Sequence, residues 1–207
     1  MTRTLLRRAL LGGAATLVLT VSACGGDHSG GHPGESGHAS APSAAPVGSA
    51  RPGVVFNEAD VAFAQHMTVH HQQAVEMSAL AVERAADPRV KELAAAIAAA
   101  QAPEMAVMTG WLSAWGQPTA APGGSGHGSG HESMPGMMSA SDMAKLAAAD
   151  GAAFDELFLT MMIAHHEGAV TMAEEAAARG SNPGAEALAT KIVTDQRAEI
   201  DTMKAML

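Results

Sequence analysis

The chain has 207 residues, 3% aromatics, one cysteine and a formal net charge of -9. This length holds one modest domain, and one cysteine excludes both an intrachain disulfide framework and a cysteine-based zinc site. The acidity argues against nucleic acid as a partner, and an alanine-rich composition without tyrosine predicts a helical protein.

Residues 1–23 read as a signal peptide. Arg3, Arg7 and Arg8 form a positive start, and Leu10 to Val21 is an apolar run too short to span a membrane. Val21-Ser22-Ala23-Cys24 resembles a bacterial lipobox, which implies lipidation of Cys24 and anchoring at the outer face of a membrane. Removing this segment leaves 9 basic and 21 acidic residues, a net charge of -12. Residues 24–53 are Gly, Ser, Ala, Pro and His without apolar periodicity, which predicts a disordered tether that also carries His28, His32 and His38.

From residue 54 to 207 the pattern turns helical. The first hairpin is expected over 57–116. Helix one starts at the Asn57 cap and runs to about Ala86, and helix two starts at Asp87-Pro88, acid as cap and proline at the first position. Its apolar stripe includes Leu93, Ile97, Met108, Leu112 and Trp115, with Pro103 inside it. Residues 117–140 form a Gly-, His- and Met-rich linker containing His127, His131, Met134, Met137 and Met138. A short helix is expected over Asp142–Ala149. The second hairpin is expected over 152–206, with Gly180 ending helix three and Asn182-Pro183 opening helix four.

The two hairpins are copies. Phe63, Met67, His70, His71 and Met77 recur at an offset of 95 as Phe158, Met162, His165, His166 and Met172. The register holds without a gap from Asp60 and Asp155 to Met108 and Met203, so the chain contains a duplication. One hairpin cannot cover its own apolar stripe, but two can, which predicts an all-α four-helix bundle joined in a ferritin-like manner.

At 100° per residue, His66, His70 and Met77 share an arc of about 40° on helix one, with Met67 and His71 on the neighbouring stripe. Met161, His165 and Met172, and then Met162 and His166, are the counterparts on helix three. Residues four apart on one helix face can reach a common ion. Thioether sulfur is a soft donor suited to Cu(I), and imidazole binds Cu(I) and Cu(II) alike, whereas zinc or nickel would leave the methionines unexplained. The expected cargo is copper, through His66, Met67, His70, His71, Met77, Met161, Met162, His165, His166 and Met172. His127, His131, Met134, Met137 and Met138 repeat the donor pairing as a capture loop or an additional site.

His70-His71-Gln-Gln-Ala-Val-Glu-Met77, Met161-Met162-Ile-Ala-His165-His166-Glu-Gly-Ala-Val, the Gln-x-x-Glu-x-x-x-Met repeats from Gln101 and Gln196, and Met134-Pro-Gly-Met137-Met138 together resemble the domain-of-unknown-function family 305. The resemblance covers about Val54 to Leu207. It implies a ferritin-like four-helix bundle and a role like that of CopM-type periplasmic proteins, which bind copper and support copper resistance, with His and Met ligands at the positions above. Two departures stand out: His66 replaces the Met161 of the second copy, and Pro103 interrupts the first Gln-x-x-Glu segment.

Three functions follow from these readings. The first is an extracytoplasmic, lipid-anchored protein that sequesters copper or exchanges it with a donor or acceptor protein, without catalysis. The second is a ferritin-like metal-dependent oxidase, for which Glu76, Glu104, Glu167 and Glu199 are available but no Glu-x-x-His occurs in the bundle. The third is a structural or interaction lipoprotein whose His and Met side chains are packing.

Overall fold

The computed structural model describes residues 54–120 and 134–207. Cys24, His28, His32, His38, His127 and His131 lie outside the described residues. Five helices follow one another: α1 (Glu58–Arg84), α2 (Pro88–Trp115), α3 (Ala140–Ala148), α4 (Gly151–Arg179) and α5 (Pro183–Lys204). No strand occurs among the described residues beyond an isolated bridge between Ala85 and Gly151.

Helices α1 and α2 form one hairpin and α4 and α5 the other, with α1 and α4 packed directly on each other. The chain is an all-α protein built as a four-helix bundle, with short α3 laid against α1 and α4.

Polar side chains set the helix starts. Asn57 and Asp60 form a reciprocal capping box at α1, each side chain accepting the other's backbone N–H at 3.1 and 2.8 Å. Asp87 and Asn182 cap α2 and α5, each followed by proline at the first helical position, where the missing N–H costs nothing. Helix α1 stops at Arg84 rather than Ala86, because the Asp155 carboxylate takes the N–H groups of Ala86 and Asp87 at 3.1 and 2.9 Å.

The duplication makes that contact reciprocal. Asp60, the counterpart of Asp155, accepts the N–H groups of Ser181 and Asn182. Each hairpin thus caps the turn of the other with a carboxylate. Gly180 ends α4, but at φ -63 it does not use the left-handed conformation. Its value is space: a Cβ there would lie 2.7 Å from Asp60 Oδ1. Pro103 sits inside α2, and the helix continues through it. Pro103 and Ala99 are both exposed, so the backbone acceptor four residues back is on the solvated side.

The buried core forms two hydrophobic clusters. One gathers Met77, Phe154, Phe158, Met161, Met162 and Met203. The other gathers Phe63, Met67, Met108, Leu112, Trp115 and Ile192. On α1 and, Val170 apart, on α4 the two clusters fall on opposite sides of the His70-His71 and His165-His166 pairs. The histidines form a polar layer between two apolar ones, where the hairpins meet.

Candidate metal centre

All four paired histidines are buried, none more than 1% exposed. His70 and His165 face each other across the α1–α4 interface with ring centroids 3.8 Å apart, and His166 lies 6.3 Å from His165. Burial pushes the His70 imidazole down to about 3 and holds His165 well below its ordinary value, with the neighbouring histidines acting in the same direction. Both rings are therefore neutral at pH 7, the form that binds metal.

Each pair has a carboxylate behind it. His71 Nε2 lies 2.9 Å from Glu104 Oε2, and His166 Nε2 lies 2.6 Å from Glu199 Oε2. Burial tends to raise the Glu104 carboxyl, but hydrogen bonds from His71 and Lys191 outweigh it and hold that carboxyl below its ordinary value. A carboxylate can only accept, so His71 and His166 donate Nε2–H to it and direct Nδ1 elsewhere. His70 does the same with its Nε2–H on the Pro135 carbonyl at 3.0 Å. The Nδ1 atoms of His70, His71 and His166, and both ring nitrogens of His165, are buried without a hydrogen-bond partner. Such atoms each cost about 1–3 kcal/mol unless something occupies them. Lone pairs oriented by partners on the far side of the ring match the way metal-binding histidines are held. Pro103 does not disturb this: Glu104 meets His71 through the same atoms by which Glu199 meets His166.

Among the described residues, no three His, Cys, Asp or Glu side chains are grouped so as to hold an ion. A complete donor set at this layer draws on methionine sulfur or on movement of the imidazoles. The linker contributes here. Residues 134–139 form an ordered strap across α1 and α4. Gln73 on α1 pairs with both backbone groups of Met138, at 2.7 and 2.9 Å. On α4 the corresponding residue is Gly168, and a Cβ there would lie 2.1 Å from the Pro135 carbonyl oxygen. Gly136 reciprocates with φ +77, a conformation that L side chains rarely adopt. Met134, Met137 and Met138 are partly buried in this strap, and Met138 packs on the core cluster that holds Met77 and Phe158.

The structure divides the sequence-derived donors into three groups. His70, His71, His165 and His166 form the central layer. Met77, Met161 and Met162 are buried in one core cluster. His66, Met67 and Met172 line a cleft of about 360 Å³ between α1 and α4. His66 lines this cleft and His70 does not, although the two share a helix stripe. Glu104, Glu199, Gln73 and Gly168 complete the centre. The first two are visible in the Gln-x-x-Glu repeats, and the last pair as a break in the duplication.

The family described as Domain of unknown function (DUF305) matches residues 60–207. A DUF305 crystal structure from Streptomyces coelicolor is 38% identical, covering 72% of this chain and 91% of that one, with a TM-score of 0.65. CopM in the Cu(II)-bound form is 34% identical over 71% of this chain and 94% of that one, with a TM-score of 0.61. CopM in the Cu(I)-bound form is 32% identical over the same 71% and 94%, with a TM-score of 0.59. No curated protein matches the chain.

Proposed function

This chain belongs to the DUF305 family, and from that premise we propose that it is an extracytoplasmic copper-binding protein, anchored through a lipid on Cys24, that sequesters copper or passes it to a partner. The observation that carries the reading is the histidine layer: four buried imidazoles at the hairpin interface, each with a ring nitrogen lacking a partner. Neutral nitrogen and thioether donors without thiolate favour copper over harder cations. The similarity to CopM, solved with Cu(I) and with Cu(II), supports the same cargo.

In this reading His70, His71, His165 and His166 are the primary ligands. Met77, Met161 and Met162 on one side, and His66, Met67 and Met172 on the other, supply soft donors within about three helical turns. Met134, Met137 and Met138 close the wall, and His127 and His131 extend the donor set along the linker. Glu104 and Glu199 orient imidazoles and do not ligate. No step of catalysis is assigned.

The test is copper content and Cu(I) affinity by chelator competition, for the wild-type chain and for a variant with His70, His71, His165 and His166 changed to Ala. Loss in the variant of the copper held by the histidine layer, read as reduced content and affinity with helicity kept, is the expected result. Equal binding by both chains refutes the assignment.

A further inference from the structure

The duplication predicts two equivalent clefts between α1 and α4, one beside Met67 and one beside Met162. Among the described residues the first is open and the second is filled. Ala59 and Ala62 line it, and their counterparts in the second copy are Phe154, which is fully buried, and Leu157, which packs on the core. Helix α3 lies on the second side as well, with Leu146 buried in the same cluster. The three donors of the closed side, Met77, Met161 and Met162, are therefore sealed in apolar surroundings. Those of the open side are not: His66 and Met172 are partly exposed in the cleft wall, with Met67 buried beneath them.

The donor types differ in the same sense. His66 stands where the closed side has Met161. Its ring makes no hydrogen bond or ion pair among the described residues. Glu58 and Glu175 stand at the rim, where the closed side has Ala153 and Leu80. Arg179 also lines the cleft and pairs with Glu175, so Glu58 is the rim carboxylate without an ion pair among the described residues, and a carboxylate at the mouth of a cleft raises the local concentration of cations. One imidazole with two thioethers is a soft, neutral set that suits a monovalent ion of the copper group and serves zinc poorly. His70 does not line the cleft, but it lies four residues, about 6 Å, along α1.

We propose that this cleft is a second site, separate from the buried histidine layer, at which Cu(I) is bound by His66 and Met172 over Met67 and from which it exchanges with solvent. The proposal rests on the copper reading only in naming the ion. The closed counterpart on the other side has lost direct access to solvent.

The probes are Ag(I), a redox-inert stand-in, and Cu(I) under reductant, added to the full chain. On addition of Ag(I) the ε-methyl resonance of Met172 shifts, and excess Zn(II) does not reverse it. H66A/M172A, two changes at partly exposed positions, retains its helicity and binds one monovalent equivalent fewer than wild type. H66M, which restores the residue of the second copy, keeps that equivalent. A59F/A62L rebuilds the apolar plug with every donor intact and slows uptake at Met172 at least tenfold. Unchanged stoichiometry in H66A/M172A, or an unmoved Met172 methyl, overturns the site, and unchanged uptake in A59F/A62L overturns the port. The copper assignment of the histidine layer fails separately, through the four-histidine variant, and that failure leaves the Met172 signal in place.

Discussion

Gly168→Ala should destabilise this protein, although the substitution sits in mid-helix, where alanine is ordinarily the better residue. Replacing glycine by alanine inside a helix stabilises by about 0.5–1 kcal/mol when space allows. At Gly168 it does not. The new Cβ would meet the Pro135 carbonyl oxygen at 2.1 Å, its carbon at 2.4 Å and Gly136 Cα at 2.6 Å. All three are backbone atoms, so no side chain can rotate away and the strap must lift off α4. His70 Nε2 then loses the Pro135 carbonyl, and Gln73 loses its pair with Met138. Each buried group left without a partner costs about 1–3 kcal/mol. Water reaching the lifted strap recovers part of that, and the helix-propensity gain offsets part of the remainder, so the expected net loss is about 2 kcal/mol. Gly110→Ala on α2 is the matched control, because a Cβ there meets nothing within 4 Å. It should stabilise by about 0.5–1 kcal/mol. Urea unfolding of both variants with metal removed gives the comparison. If Gly168→Ala is as stable as wild type or shifts in the same direction as Gly110→Ala, the strap does not cap the histidine layer.

Acid should weaken the metal-free fold well above the carboxylate range. The His70 imidazole falls from 6.5 to about 3 on folding, because burial, and after it the neighbouring His71 and His166, disfavour the charged ring. The unfolded chain then binds the extra proton, so stability is complete above 6.5 and drains as pH falls towards 3. At pH 5 the loss from His70 alone is about 2 kcal/mol, and His165 adds to it in the same direction. Urea midpoints at pH 7 and pH 5 test this, and a flat profile contradicts it. Asp60→Asn should cost about 1–2 kcal/mol, since a buried carboxylate accepting the N–H groups of Asn57, Ser181 and Asn182 loses an acceptor oxygen; thermal denaturation measures it. Glu104→Gln and Glu199→Gln should each weaken Cu(I) binding about tenfold or more with helicity intact, because neither imidazole is then held by a carboxylate; chelator competition reads the change.

The helix starts and the duplication were legible because they are local or periodic. Asn57, Asp87-Pro88 and Asn182-Pro183 act on neighbouring backbone groups, and the offset of 95 repeats core and donor positions together. The fold class followed from the same pattern. The division of the donors did not, because a helix stripe shows which residues share a face but not what that face meets. His66 and His70 share an arc, yet His70 meets His165 and the Pro135 carbonyl while His66 opens into a cleft. Such partners are 65 or more residues away in the chain, and no local rule reports them. The reciprocal capping by Asp60 and Asp155 was hidden for the same reason: both acids were visible as a repeat, but each serves the turn of the other hairpin.

The duplication supplies a scaffold with near two-fold equivalence, and the chemistry lies where that equivalence breaks. Gln73 opposes Gly168, and the difference lets one strap bond to α1 and press its backbone on α4. Lys191 braces Glu104, whereas its counterpart position is Ala96 and Glu199 has no such cation among the described residues. Ala59 and Ala62 leave open what Phe154 and Leu157 close. A symmetric bundle would bury its donors alike on both sides. Here one methionine group is sealed, one mixed group reaches solvent, and a layer of buried imidazoles lies between them. That order follows from substitutions at a handful of paired positions rather than from any change of fold.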